Sequence, residues 1–416
     1  MCAFERSEKG MEFIMKKILY TILSLFLIFT FLFAPYSFAT SSFIWSEDTF
    51  STSTTPDSTN LNLESESCIL IEQTSGKILY EKNAHEQLRP ASVTKVMTIL
   101  LIMEALDSGK ISLTDKVPCS ENASKMGGSQ IWLDVREELT VDEMLKAICV
   151  VSANDCTVAM AEFLAGSTEA FVDKMNTRAK ELGMNDTCFK NCHGLDEDGH
   201  LTSSYDISLM SRELLQNHPS ITKYTTIWMD SLRDGKSTLT NTNKLIRNYK
   251  GATGLKTGST GLALYNLSAS ATRDNLSLIA VIMKAPSTKI RFEEAQKLLD
   301  YGFNNYSYVQ FAKKDSILKS INVSKGILSS INIVYENNSG CLLEKGKDKN
   351  IEQVLSIPEY VSAPITKGQK LGDITYFLDG KAIASSNLIA DKDVKKTNLG
   401  NMFEFVFFAW FRLLRE

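Results

Sequence analysis

Histidine is scarce in this chain of 416 residues, which has only four. No Gly-x-Ser-x-Gly turn accompanies them, so Ser-His-Asp catalysis has poor support. Positive charge is not in excess either: the formal net charge is −4, and nothing basic recommends nucleic acid as a partner. No internal repeat is visible. Cysteine is moderate at eight, but Cys2 precedes an expected signal peptide, and the remaining odd number argues against a fully paired disulfide framework. Cys149 and Cys156 lie on apolar helical patterns, where a cysteine is usually a small core residue. The group Cys188, Cys192, His193, Asp196 and His200 has the residue types of a metal site, yet its spacing fits no familiar zinc finger. No metal and no cofactor are therefore expected.

What the chain does have is three short strings in a fixed order: Ser92-Val-Thr-Lys95, Ser152-Ala-Asn154 and Lys256-Thr257-Gly258. Taken singly they read as a helix N-cap, an inter-helix turn and a strand-end glycine. Together they place a serine, two lysines and a small polar pair where an acyl-transfer enzyme without a catalytic histidine needs them. Residues three apart on a helix share a face, so Ser92 sits beside Lys95. The stretch Val93 to Leu106 is apolar almost all round, the mark of a buried helix, entered through Arg89-Pro90-Ala91 and closed by Gly109. Burial, the helix N-terminus and a second cation should all disfavour the charged form of Lys95. Ser152 to Asn154 falls between two helical patterns, the first opened by a capping box of Thr140 and Glu143, the second running through Ala159 and Phe163 to Gly166. Lys256 to Gly258 belongs to a β segment, and Leu264 to Ala271 with Leu276 to Lys284 reads as a hairpin around Arg273-Asp274-Asn275. Gly258 would let substrate backbone approach that strand.

The ends are organised differently. Lys16-Lys17, the apolar run Ile18 to Phe33 and Ser37-Phe38-Ala39 predict a signal peptide over 1–39, with 1–14 a possible upstream extension; the alternative is an uncleaved anchor, and either way the body is exported. A Ser/Thr-rich linker is expected over 40–66. Residues 67–304 read as an α+β domain whose antiparallel sheet takes strands from both its ends, Cys68 to Glu81 and the 264–284 hairpin. A helix over Pro286 to Gly302 should turn Glu293 and Glu294 one way and Leu298 and Leu299 another. Short alternating segments over 305–394, with turns at Lys367-Gly368 and Asp379-Gly380, predict a small all-β domain. Residues 401–416 read as an amphipathic helix whose apolar length of about 20 Å falls short of a hydrocarbon core of about 30 Å. It can lie in a membrane interface, aided by Lys392, Lys395 and Lys396, or pack on its own domain.

The three strings, with Gly76 to Ala84, Met126-Gly127-Gly128-Ser129, Leu139-Thr140-Val141 and His193-Gly194-Leu195-Asp196, resemble the D-alanyl-D-alanine carboxypeptidases, the low-molecular-mass penicillin-binding proteins, over roughly residues 65 to 390. One departure is that Ala263 is followed by Leu264, where family members often have Ala-Gly. The resemblance implies a serine β-lactamase/transpeptidase-like fold with a helical subdomain. It implies Ser92 as acylated nucleophile, Lys95 as its base, Ser152 as proton relay to the departing D-alanine, and Asn154 as orienter of Lys95 and the peptide carbonyl. Lys256 and Thr257 would hold the substrate carboxylate, and the backbone N–H groups of Ser92 and Ser259 the oxyanion. The implied partners are peptidoglycan stem peptide, β-lactams and the outer face of the cell membrane. Two other functions are open to the motifs. A class A-like β-lactamase needs a Glu-x-x-Leu-Asn loop, absent between Asn154 and Lys256, and a non-enzymatic wall-binding protein would be expected to have lost Ser92 or Lys95.

Overall fold

The computed structural model describes residues 61–347, 350–398, 400 and 407. The expected signal peptide and, apart from Phe407, the amphipathic helix at 401–416 lie outside the described residues. Among the described residues, no helix is long and apolar enough to cross a membrane.

The larger, N-terminal part of the described chain is built on a five-stranded sheet. Strands β1 (Ser67–Glu72) and β2 (Ile78–Lys82) open it. The helices α1 (Lys95–Asp107), α2 (Val141–Val150), α3 (Asn154–Ala165), α4 (Thr168–Glu181) and α5 (Ser204–Asn217) intervene. The sheet is completed by β3 (Ala252–Thr260), β4 (Leu264–Arg273) and β5 (Leu276–Ala285), in the order β2-β1-β5-β4-β3, antiparallel throughout. The β4–β5 turn is tighter than expected: Arg273 pairs with Leu276, and Asp274 and Asn275 both have positive φ, the two-residue hairpin geometry that asparagine and aspartate tolerate.

Alternation along the central strands explains why they are apolar without a break. Ile69, Ile71, Ile279, Val281 and Met283 join the core beneath α1, whereas Leu70, Leu278, Ala280 and Ile282 face the opposite core with Leu298 and Leu299. Successive side chains point to opposite faces of a strand, and here both faces are covered. The second cover is α6 (Thr288–Asn305), capped by the Ser287 hydroxyl. Its charged pair does not share a surface: Glu293 is near Lys289 at 3.7 Å, but Glu294 is 3% exposed and accepts hydrogen bonds from the backbone of Glu64 and Ser65 and from the Ser65 hydroxyl. The same contact shortens the expected linker. Leu63 and Ser65 are buried, so residues 61–66 pack on the domain and do not form a spacer, because Glu294 satisfies their amides and the α6 side of the sheet takes their leucines.

After α6 come β6 (Tyr306–Ala312), β7 (Ile317–Ser324), β8 (Ser330–Tyr335), β9 (Ser339–Glu344), β10 (Ile351–Ser356), β11 (Tyr360–Ser362), β12 (Lys370–Leu378) and β13 (Lys381–Ala390). They form a two-stranded β6-β9 ribbon and a six-stranded sheet in the order β10-β12-β13-β8-β7-β11. Its core is aliphatic and aromatic, including Ile331, Ile333, Ile374, Tyr376 and Leu388.

Candidate active site

Two chain segments meet at Ser92. A 3-10 turn, Ala91–Thr94, leads directly into α1, so Ser92 sits half-buried one turn ahead of Lys95 on a helix that is buried almost all round. Lys95 is fully buried. Its Nζ lies 3.0 Å from Ser92 Oγ and donates to Asn154 Oδ1 at 2.6 Å and to the His193 carbonyl at 2.6 Å. Burial, then the nearby Lys256 charge, push the Lys95 ammonium well below its ordinary range.

Asn154 is the first residue of α3, and the loop before it holds it on two sides. Its N–H donates to Ser129 O at 2.7 Å and its Nδ2 to Gly127 O at 2.6 Å. A Cβ at Gly128 would stand 2.8 Å from that Nδ2, which is why glycine occupies the middle of this approach. Ser152 differs from its neighbours. It has φ +65, is 4% exposed, and its buried hydroxyl has no hydrogen-bond partner. The structure thus brings Ser92 and Asn154 into direct contact with Lys95 and leaves the Ser152 hydroxyl, two residues before Asn154, unbonded.

Strand β3 supplies the opposite wall. Lys256, 1% exposed, donates from Nζ to the Thr257 carbonyl at 2.8 Å, and burial lowers its pKa to about 7. Thr257 Oγ1 lies 2.7 Å from Thr242 Oγ1, and Ser259 is exposed on the strand opposite Tyr265. Gly258 has a reason that periodicity does not reveal: a Cβ there would come within 2.8 Å of the Ser92 and Val93 backbone nitrogens. The missing side chain lets the strand close on the Ser92 turn. Behind the strand, buried Arg291 donates to the carbonyls of Gly258 and Asn266, both at 3.2 Å, and its Nε is unpartnered.

Several contributors carry no local signal. The His193 carbonyl acts through its backbone, so no side-chain pattern marks it. Gly194 has φ +90, and a Cβ on it would lie 1.9 Å from the Ala91 carbonyl, so the 191–196 loop is packed against the Ser92 turn. Only the resemblance pointed to these two and to Gly127-Gly128-Ser129; Thr242 and Arg291 had no signal at all. Leu264, where the family often has glycine, adopts φ +52, a conformation costly for a branched side chain.

The cysteine and histidine group is dispersed into other work. His200 Nε2 lies 2.8 Å from Thr94 Oγ1 and its Nδ1 accepts from Lys190 N at 2.9 Å, while His193 Nδ1 accepts from Leu195 N at 3.2 Å. Burial holds His193 down to about 3 and His200 down to about 4, so both rings are neutral acceptors. Among the described residues no group of three His, Cys, Asp or Glu is placed to hold a metal ion. The seven described cysteines are unpaired, and burial pushes the Cys149 thiol up to about 12.

Comparison with known proteins follows this geometry. A family model described as D-alanyl-D-alanine carboxypeptidase matches residues 51–287, and one described as penicillin-binding protein 5, C-terminal domain, matches 306–396. The chain is 48% identical over 337 residues to the D-alanyl-D-alanine carboxypeptidase DacF of Bacillus subtilis, covering 80% of this chain and 86% of the relative. Among solved structures it is similar to penicillin-binding protein 5 of Haemophilus influenzae, with TM-score 0.65, 32% identity, and coverage of 80% of this chain and 98% of that one. Ampicillin-bound penicillin-binding protein D2 of Listeria monocytogenes matches with TM-score 0.54 and 30% identity, over 59% of this chain and 99% of that one.

Proposed function

The chain belongs to the D-alanyl-D-alanine carboxypeptidase family, and from that premise we propose that Ser92 is the nucleophile with which it removes the terminal D-alanine of peptidoglycan stem pentapeptides and with which penicillins acylate it. The observation that carries this reading is the set of three contacts around Lys95 Nζ. A neutral amine has two N–H bonds and one lone pair. Asn154 Oδ1 and the His193 carbonyl can only accept, so they use the two N–H bonds and leave the lone pair toward the Ser92 hydroxyl.

In the reaction Lys95 takes the Ser92 proton as Oγ bonds to the scissile carbonyl carbon, and the negative charge moves to the carbonyl oxygen, between the backbone N–H groups of Ser92 and Ser259. The C–N bond then breaks, and the proton passes from Lys95 to the departing amine. Ser152 is the relay: its hydroxyl is buried and unbonded in the free enzyme, so it can accept and donate once the substrate nitrogen arrives. Lys256 and Thr257 hold the terminal carboxylate, and its negative charge favours the protonated Lys256. The second Nδ2 hydrogen of Asn154 serves the acyl-donor peptide carbonyl. Water attacking the acyl ester completes the cycle. Ser92→Ala should abolish both D-alanine release and covalent labelling by a fluorescent penicillin, with circular dichroism unchanged; labelling of that variant would refute the assignment.

The same proposal places the domain over 67–304, the β domain over 305–394 and the chain outside the cytoplasm, exported by residues 1–39 and held to the membrane face by 401–416. The supports are the signal-like segment, the short apolar tail and the wall-directed family. A chain ending near Asn398 should move from the membrane to the soluble fraction with its activity intact, and its continued retention would remove the tail as anchor.

A further inference from the structure

Trp132 is 74% exposed and has φ +55, a combination that is costly in two ways: a large apolar ring faces water, and a residue with a Cβ occupies the left-handed region. The backbone around it is nevertheless held by charged groups from both sides. The carboxylate of Asp155, itself fully buried, accepts from the N–H of Ile131 at 3.0 Å and of Leu133 at 3.1 Å. From the other side Arg233 donates to the carbonyls of Ile131 at 2.9 Å and Trp132 at 3.2 Å, and is locked by Glu137. With the Gln130 amide turned to satisfy its neighbours, its oxygen accepts from the Trp132 indole N–H at 3.2 Å and its nitrogen donates to Met126 O at 2.7 Å. The indole is thereby tied to the loop whose Gly127 and Ser129 carbonyls hold Asn154.

None of these contacts buries the ring, so they hold it in place without giving it a part in the core. A strained residue held by the buried Asp155 carboxylate, which follows Asn154 in the chain, and by the half-buried Arg233–Glu137 pair is what a binding surface next to the chemistry requires. Three peptide steps link Ser129 to Trp132, a reach of at most about 11 Å. Asn154 attends the acyl-donor side of the scissile bond, and the leaving D-alanine lies toward Lys256 on β3. An apolar ring on the Asn154 side therefore serves the donor peptide. Upstream of the two D-alanines, a stem peptide offers one long methylene chain, that of its diamino-acid residue.

We propose that Trp132 is a specificity-determining residue that packs against the aliphatic side chain of the stem-peptide residue preceding the two D-alanines. The inference rests on the carboxypeptidase reading of the site. Binding energy from this non-reacting part would be realised during acylation and raise kcat/KM for long-side-chain donors. The test uses the exported full-length enzyme and two peptides: diacetyl-L-lysyl-D-alanyl-D-alanine and its acetyl-L-alanyl counterpart. Trp132→Ala should lower the lysyl-to-alanyl ratio of kcat/KM about tenfold, and Trp132→Phe should restore most of it. A ratio unchanged from wild type, or one restored only when a disaccharide is attached to the peptide, would overturn the assignment. Binding is read separately in Ser92→Ala protein, where the lysyl peptide should change tryptophan fluorescence more than the alanyl peptide does, a difference lost in Ser92→Ala/Trp132→Phe. No difference would overturn the inference. Absence of D-alanine release by the wild type would instead overturn the carboxypeptidase reading, with the fluorescence difference still deciding on Trp132.

Discussion

The two halves of the described chain bury different things. Behind the active site the domain encloses Lys95, Lys256, Asp155, Glu294 and most of Arg291, and leaves the Ser152 hydroxyl and the Arg291 Nε without partners. The β domain buries isoleucine, valine, leucine and tyrosine, and its buried polar residues are only Ser339 and Ser386 among those described. Its β10 strand is exposed at five of six positions. The contrast teaches where stability has been given up. Desolvating an ammonium costs several kcal/mol unless the charge is lost or paired, so the buried Lys95 and Lys256 mark where chemistry uses them, whereas the buried Asp155 and Glu294 carboxylates are held by backbone amides. The β domain shows what the same chain does when nothing catalytic is asked of it.

The comparison breaks most sharply at Gly194. A methyl there would meet the Ala91 carbonyl at 1.9 Å, and the φ of +90 adds strain, so Gly194→Ala should push the 191–196 loop off the Ser92 turn and take the His193 carbonyl away from Lys95. Acylation by a fluorescent penicillin should slow by at least about a hundredfold. An acylation rate within about threefold of wild type would show that the loop does not set the geometry of Lys95.

A smaller effect on rate, with an opposite effect on stability, is expected at Lys256. Its pKa is about 7 in the fold against an ordinary 10.5. Below about 7 the folded and unfolded chains both carry the proton, and the fold bears the buried charge; between the two values the unfolded chain binds more protons, so stability rises with pH. Lys256→Met should therefore raise Tm by about 3 °C near pH 6, and by less near pH 10. The same change should cut kcat/KM for carboxylate-bearing peptides at least about tenfold and remove the decline expected of the wild type as pH rises through about 7. Scanning calorimetry and peptide hydrolysis over this range check both signs.

The least effect on catalysis is expected in the β domain. Ile333, fully buried in its core, contributes packing alone, so Ile333→Ala should cost about 2–4 kcal/mol in that domain's unfolding while leaving D-alanine release within about twofold. Loss of activity on the scale of the Gly194 variant would mean that the domains are energetically continuous and would dissolve the contrast.

Much of this was legible in the residues. The Thr140–Glu143 capping box, the Gly166 helix end, the hairpin at Asp274-Asn275 and the Asp379-Gly380 turn are local events, decided within a few residues by hydrogen bonding and φ, and the structure has them where the pattern puts them. The spacing of Ser92 and Lys95 is equally local, since one helical turn brings them together whatever surrounds them. Glu294 misled because helical periodicity reports amphipathicity on average, and one carboxylate can be drawn inward by a segment 230 residues away that needs its amides capped.

The helix at 93–106, the capped helix after Thr140, the 264–284 hairpin, the three motifs and the family they signal were thus determined by the sequence alone, because each depends on neighbours along the chain. The clearance at Gly258 and Gly194, the unbonded Ser152, and the Asn154 and His193 contacts that complete the expected neutral tendency of Lys95 were decided only by the tertiary structure. Desolvation and steric approach sum over atoms from segments 59, 98 and more residues apart, and no local pattern encodes that sum.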